Sequence, residues 1–348
     1  MSGILAGRLA RLIAATGPIS VMQYMGEAAA HYYTTRDPLG VAGDFITAPE
    51  ISQMFGEMIG IWLADIWIRA GRPARVHYVE AGPGRGTLAR DALATARRFG
   101  LEPEVHLVEG SPALREAQCS RLPEAHWHDD LASLPEDGPL LVVANEFLDA
   151  LPVRQLVMTQ GGWRERMVAF GDGRFVAIAG DRPMDAAVPL ARRAAQPGAI
   201  IETCPGAAAA VQAMAQRLAT QGGAALLIDY GYAQPAFGSS LQAVRAHGRV
   251  DPFVDPGEAD ITALVDFAGL SEVAKVAGAR WLGTVEQGAF LSALGIATRA
   301  GALARAAPGQ GDAVAAALAR LIDPGQMGTL FKVMGLAAPD WPDGAGFN

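Results

Sequence analysis

The stretch "VEAGPGRGTL", Val79 to Leu88, sets Gly82, Gly84 and Gly86 at alternating positions, with Glu80 two residues before the first. Glycines at this spacing, after a β-rich run, let a turn bring its backbone close to a ligand. A triphosphate loop must close on Gly-Lys-Ser/Thr, and this one closes on Gly86-Thr87 without a lysine. A dinucleotide loop needs Gly-x-Gly-x-x-Gly. Counted from Gly82, the second glycine fits at Gly84, but the third position holds Thr87.

The order present, acid-x-Gly-x-Gly-x-Gly, is that of class I S-adenosylmethionine methyltransferases. On this reading Gly82, Pro83, Gly84 and Gly86 form a tight turn under the methionyl part and ribose. Glu80 attracts the cofactor's ammonium end, directly or through water. A second acid should then end the next strand and bind the ribose hydroxyls bidentately, and Glu109 in "HLVEGS" stands there, 23 residues past Gly86. NAD enzymes also place an acid there, so Glu109 alone does not discriminate. Ser111, Asp130 and Leu131 complete the downstream cofactor-binding candidates, and Asn145 meets the cofactor by hydrogen bonds.

These residues need strands to carry them to one edge. "ARVHYVEAG" (74–82), "EVHLVEGS", "GPLLVVANEF" and "GAALLIDYG" (223–231) read as strands, the third a continuous apolar run suited to burial on both faces. "TLARDALATARRFG" reads as a helix with Leu88, Ala92, Ala96 and Phe99 on one face and Gly100 as its stop. Alternating strands and helices imply a doubly wound α/β sheet. The expected organisation is an N-terminal helical lid (1–72), a first core part (73–152), an antiparallel β insert (153–198) and a core continuation (199–234). A turn-rich substrate-side insertion (235–278), the C-terminal core (279–336) and a tail (337–348) follow.

Composition narrows the class. The chain has 348 residues, 51% hydrophobic and 18% charged, with a net charge of −8. That balance describes a globular protein with an ample core and argues against nucleic acid as partner. Cys119 and Cys204 cannot make a disulfide framework, and no apolar run reaches membrane-spanning length. Arg8 and Arg11 among apolar residues resemble a mitochondrial presequence, but a first core helix ended by Gly17-Pro18 explains them as well.

The whole chain closely resembles the MidA-like methyltransferases, whose mitochondrial members are assembly factors of respiratory complex I. The segments that carry the resemblance include "GPISVMQYMGEAAAHYY", "GDFITAPEISQMFGEMIGIW", "EAGPGRGTLARDAL", "ANEFLDALPVRQ", "LLIDYGY", "LQAVRAHGRVDPFVDPGEADITALVDF" and "MGTLFKV". The resemblance implies a class I methyltransferase fold, S-adenosylmethionine as cofactor, and symmetric methylation of a protein arginine. It also implies a protein partner, a complex I subunit or similar. The expected compartment is the cytoplasm of a bacterium, or the mitochondrial matrix of a eukaryote.

Methylating arginine demands a particular kind of acid. A guanidinium stays protonated at neutral pH, so a carboxylate must bind its planar fork and bias its charge rather than deprotonate it. Glu146 and Asp149 in "ANEFLDALP" are the leading candidates, and a helical turn would put them on one face. Capping of a short turn is the alternative for both Asp149 and Asn145. Thr47 to Glu50 matches a capping box with Ile46 and Ile51 as its staple, so Glu50 is cap or cofactor ligand. Asp44 lacks such an explanation and is a candidate at the reacting centre. In the late insertion His247 and Asp251 are candidates, with Asp251 or Asp255 attracting the arginine. No cluster has metal-ligand spacing, and neither a Ser-His-Asp arrangement nor a cysteine nucleophile stands out.

Overall fold

The computed structural model describes residues 3–35, 47–246 and 248–347. Helices α1 (Gly3–Thr16) and α2 (Val21–Thr35) flank the short strand β1 (Ile19–Ser20). Helices α3 (Ala48–Ile51) and α4 (Gln53–Arg69) lead into β2 (His77–Ala81), α5 (Thr87–Ala96) and β3 (Glu104–Val108). Next come α6 (Pro112–Cys119), β4 (His126–His128) and β5 (Leu140–Asn145). Strands β6 (Arg154–Thr159), β7 (Gly162–Gly171), β8 (Arg174–Pro183) and β9 (Ile200–Thr203) follow. Helix α7 (Pro205–Gln221) and β10 (Gly223–Tyr232) precede β11 (Gln242–Arg245), β12 (Gly248–Val250) and β13 (Asp260–Thr262). The chain continues with β14 (Val265–Asp266), α8 (Phe267–Val276), β15 (Arg280–Glu286), α9 (Gln287–Ala293) and α10 (Ile296–Ala306). It closes with α11 (Gly311–Ile322), α12 (Met327–Leu330) and β16 (Phe331–Ala337).

Two compact units divide these elements. The larger holds residues Ile46–Leu148, Ala208–Gln234 and Val265–Asn348. Its sheet runs β15-β16-β10-β5-β2-β3-β4, with β14 extending β10. Strands β4, β3, β2, β5 and β10 are mutually parallel, whereas β16 is antiparallel to both of its neighbours. Chain order reverses at β2, which pairs β3 on one side and β5 on the other. Ligands bind open α/β sheets at such a switch point, beyond the carboxyl ends of the strands. The doubly wound α/β class I methyltransferase fold expected from the sequence is the fold observed.

The smaller unit comprises Met1–Phe45, Asp149–Ala207 and Pro235–Leu264. Its antiparallel sheet runs β1-β7-β6-β9 with β8 on β7, beside a three-stranded sheet β12-β11-β13. Helix α1 buries Leu5, Leu9 and Ile13, spaced four apart as in a core helix, and Gly17 ends it at φ +84°. This partition departs from the sequence boundaries. Strand β9 pairs with β6 and so joins the insert, not the core continuation beginning at 199. The N-terminal segment divides between the units, as does the 235–278 insertion.

Helices α4 and α5 cover one face of the core sheet and touch through glycines. A Cβ on Gly60 would lie 2.2 Å from the Ala92 carbonyl oxygen, and one on Gly56 would lie 2.6 Å from Asp91 Cβ. The α5 face buries Leu88, Ala89, Ala92, Leu93 and Ala96. Phe99 departs from the expected stripe and is 46% exposed, because the helix tightens into a 3₁₀ turn at Arg97–Phe99 before Gly100. Gly60→Ala is therefore expected to destabilise the protein by roughly 1–3 kcal/mol through overpacking. Gly301→Ala, whose Cβ meets only the tip of Arg305, should be neutral or stabilising. Urea denaturation of both variants checks the contrast.

Candidate active site

The loop after β2 is built as its glycines require. Gly82, Gly84 and Gly86 take φ of +67°, +52° and +77°, where a side chain is strained. Gly82 also packs under Phe147, whose ring carbon would lie 2.9 Å from an added Cβ. Gly86 is the N-cap of α5 and has no side chain to satisfy the helix's first amides. Glu80 takes over that task. Its carboxylate accepts the Ala89 amide and the Tyr78 hydroxyl, the latter at 2.6 Å. Burial pushes the Glu80 carboxyl up to about 8, against the two hydrogen bonds that favour its ionised form.

Beside the loop, Glu109 Oε1 accepts the Ser111 amide at 2.8 Å and Oε2 accepts Gln118 Nε2 at 3.3 Å. Burial raises the Glu109 carboxyl above its ordinary range. The same Gln118 amide donates to the Gly84 carbonyl at 2.7 Å, and its oxygen accepts Trp127 Nε1 at 2.8 Å. Fully buried Gln118 thus ties the glycine loop to Glu109, a role that sequence reasoning missed. Ser111 caps α6 through the Leu114 amide. Asp130 is exposed and caps the turn Leu131–Ser133 through the Ala132 and Ser133 amides.

At the carboxyl end of β5, Asn145 and Glu146 come together with the start of α3. Glu146 Oε1 accepts the Ala48 amide and Asn145 Nδ2, both at 3.1 Å. The Glu146 backbone is left-handed at φ +51°, a strained state for a glutamate that the surroundings enforce. Its amide donates to the Ile228 carbonyl, and buried Asp229 accepts the Leu148 amide at 2.9 Å. Asp229 is a second residue that the sequence reading missed. Among the described residues Asn145 Oδ1 is buried without a hydrogen-bond partner, which leaves an acceptor for a donor on a ligand.

Several sequence expectations change here. The segment carrying Glu146 and Asp149 is not a helical turn, because the left-handed Glu146 breaks it. Thr47 makes no side-chain cap, and the Ala48 amide is met by Glu146 instead. The chain extends at Ser52, which caps α4 through the Met54 amide at 3.2 Å. Glu50 accepts the Thr87 hydroxyl at 2.6 Å rather than closing a capping box, and so touches the first residue of α5. Asp149 is buried in the smaller unit, where its carbonyl accepts the Ala263 amide. Asp251 is exposed and turned onto its own loop at the Phe253 amide, while Asp255 pairs with Arg245. Asp44, Ile46 and His247 lie outside the described residues.

Residues 58–285 match the model of a family described as "Putative S-adenosyl-L-methionine-dependent methyltransferase". The chain belongs to this methyltransferase family. The Drosophila melanogaster "Protein arginine methyltransferase NDUFAF7 homolog, mitochondrial" is 39% identical over 96% of this chain and 85% of its own length. The human protein of that name is 36% identical over 82% of this chain and 72% of its own. A crystal structure from Burkholderia thailandensis, bound to S-adenosyl-homocysteine, is 31% identical with a TM-score of 0.83. It covers 97% of this chain, which covers 92% of it.

S-Adenosylmethionine is the methyltransferase's cofactor, and the left-handed glycine turn with the unsatisfied Asn145 acceptor fits it. Gly84→Val adds a branched side chain at a left-handed position, and calorimetry should show cofactor binding abolished. Glu80 generates a second prediction. Its native pKa lies above the ordinary 4.5, so the folded state holds a proton that the unfolded state releases. Its contribution to stability should fall as pH rises from about 4.5 to about 8. Glu80→Gln should remove that slope in urea denaturation across this range.

Proposed function

We propose that this methyltransferase transfers the methyl group of S-adenosylmethionine to an arginine of a protein partner. The observation that carries the substrate assignment is 39% identity, across 96% of the chain, to a protein named a protein arginine methyltransferase. The cofactor supplies an electrophilic sulfonium methyl. The glycine turn, Glu109, Ser111 and Asn145 would hold it, and Glu80 would attract its ammonium end directly or through water. Glu146 is the residue proposed to orient the guanidinium. Its carboxylate stands at the same strand ends as the loop, fixed by Ala48, Asn145 and a left-handed backbone. A carboxylate held this way localises the positive charge of the fork away from the attacking nitrogen. Asp149 is proposed as the second acid to test, and Asp251 as the next. Thr47 and Glu50 are proposed to shape the cofactor side through α3. A complex I subunit is the proposed partner in organisms that have one.

Glu146→Gln keeps an oxygen to accept the Ala48 amide but removes the negative charge. Cofactor affinity should stay nearly unchanged while turnover falls by roughly 10²-fold or more, about 2.7 kcal/mol of transition-state stabilisation. The assay is tritiated methyl transfer into lysate protein, followed by hydrolysis and separation of methylarginines. Label on another amino acid would overturn the arginine assignment. A wild-type rate in Glu146→Gln would move the clamp to another acid.

A further inference from the structure

Four of the chain's six histidines, His77, His106, His126 and His128, lie on the adjacent strands β2, β3 and β4. Register pairs His77 with Glu104 and His106 with His126. Glu104 and His106 are two apart, as are His126 and His128, so all five side chains leave one face of the sheet. Tyr78 and Glu80 leave the other. His77 and His106 are 0% and 5% exposed.

Hydrogen bonds join these rings into a chain. Asp137 Oδ1 lies 3.0 Å from His77 Nε2, and His77 Nδ1 lies 3.1 Å from His106 Nε2. His106 Nδ1 lies 3.0 Å from His128 Nε2, whose Nδ1 is 3.1 Å from Ser133 Oγ. One assignment of tautomers satisfies both ends. Asp137 accepts the proton of His77 Nε2, which leaves a lone pair on Nδ1. Ser133 donates its hydroxyl to the Asp130 carbonyl, so it accepts from His128 Nδ1. His128 Nε2 then accepts from His106 Nδ1, which leaves a lone pair on His106 Nε2. The two lone pairs face each other, and a cation between them resolves the conflict.

A third donor joins them. Glu104 Oε2 lies 3.7 Å from His77 Nδ1, and the three donor atoms all lie within 4.8 Å of one another. We propose that His77 Nδ1, His106 Nε2 and the Glu104 carboxylate bind a divalent transition metal of the zinc type, with Asp137 as the outer carboxylate on His77. Ligands about 2.0–2.1 Å from a tetrahedral ion stand about 3.3 Å apart, close to the 3.1 Å and 3.7 Å that separate His77 Nδ1 from His106 Nε2 and from Glu104 Oε2. Two imidazoles favour such an ion over calcium or magnesium, which prefer oxygen. The Asp137–His77 contact is the usual orienting partner of a metal-bound histidine. Half-exposed Glu104 provides the entry path. The site stands at the amino ends of β2 and β3, opposite the cofactor loop, and is independent of the methyl-transfer reading.

The test uses untagged full-length protein titrated with cobalt(II) and then zinc(II). One cobalt per chain with tetrahedral d–d bands, displaced by zinc, is the expected result, together with a melting temperature that rises with metal concentration. Glu104→Gln, at a position where folding is not at risk, should weaken binding at least about tenfold. His106→Gln should abolish the bands. Absence of tetrahedral bands in the wild type, or wild-type affinity in Glu104→Gln, would overturn the site and leave only a hydrogen-bonded chain of rings.

Discussion

The first turn of α5 is the constraint on which the active-site region depends. A glycine loop that approaches a ligand closely must end on a residue without a side chain, and Gly86 therefore leaves the helix uncapped. An uncapped terminus leaves buried amides to be satisfied from elsewhere. Glu80 reaches across from the preceding strand to the Ala89 amide, and Glu50 fixes the same turn from α3 by accepting the Thr87 hydroxyl. Loop, strand and two helices are thereby set by the same requirement.

The pattern extends to α3. Its own N-cap Thr47 offers no side-chain bond, and Glu146 supplies the missing acceptor at Ala48. A carboxylate that caps one helix cannot swing freely, and its left-handed backbone limits it further. Rigidity of this kind is what a group orienting a planar cation requires, since misplacement by about 1 Å can cost roughly 10²-fold. The same contacts make Glu146 structural as well. The distinction between holding α3 and orienting a substrate therefore lies in charge, not in hydrogen-bond count.

Much of the core was legible in the sequence. The apolar run of β5 and the glycine spacing after β2 mark a buried parallel strand and a close-approach turn by local chemistry alone. Strand β4 was not legible, because three residues read as His-Trp-His carry no hydrophobic period. The pairing of β9 with β6 was also hidden, since four residues fit a core strand or an insert equally well. At the site, the glycines, Glu109 and Asn145 announced themselves by position. Gln118 and Asp229 did not, because the groups they bond are brought close only by folding. The capping box misled for the opposite reason: its local pattern is sound, but Glu146 and Thr87 offered better partners from distant parts of the chain.

Strand β2 shows why such long-range groups escape a linear reading. It is only five residues long, about 13 Å from His77 to Ala81, and both its neighbours are parallel strands. One face and end carry His77 toward the imidazoles of β3 and β4; the other face carries Glu80 toward α5, beside the loop. Burial on both faces makes every polar group on the strand obligatory in its bonding, and beyond the Tyr78 hydroxyl on Glu80 the partners of His77 and Glu80 come from other elements. The sheet register supplies Glu104 and His106 on one side, and helix packing supplies Ala89 on the other. A polar residue in the middle of a fully buried strand is thus a pointer to chemistry, whose nature only the pairing of strands reveals.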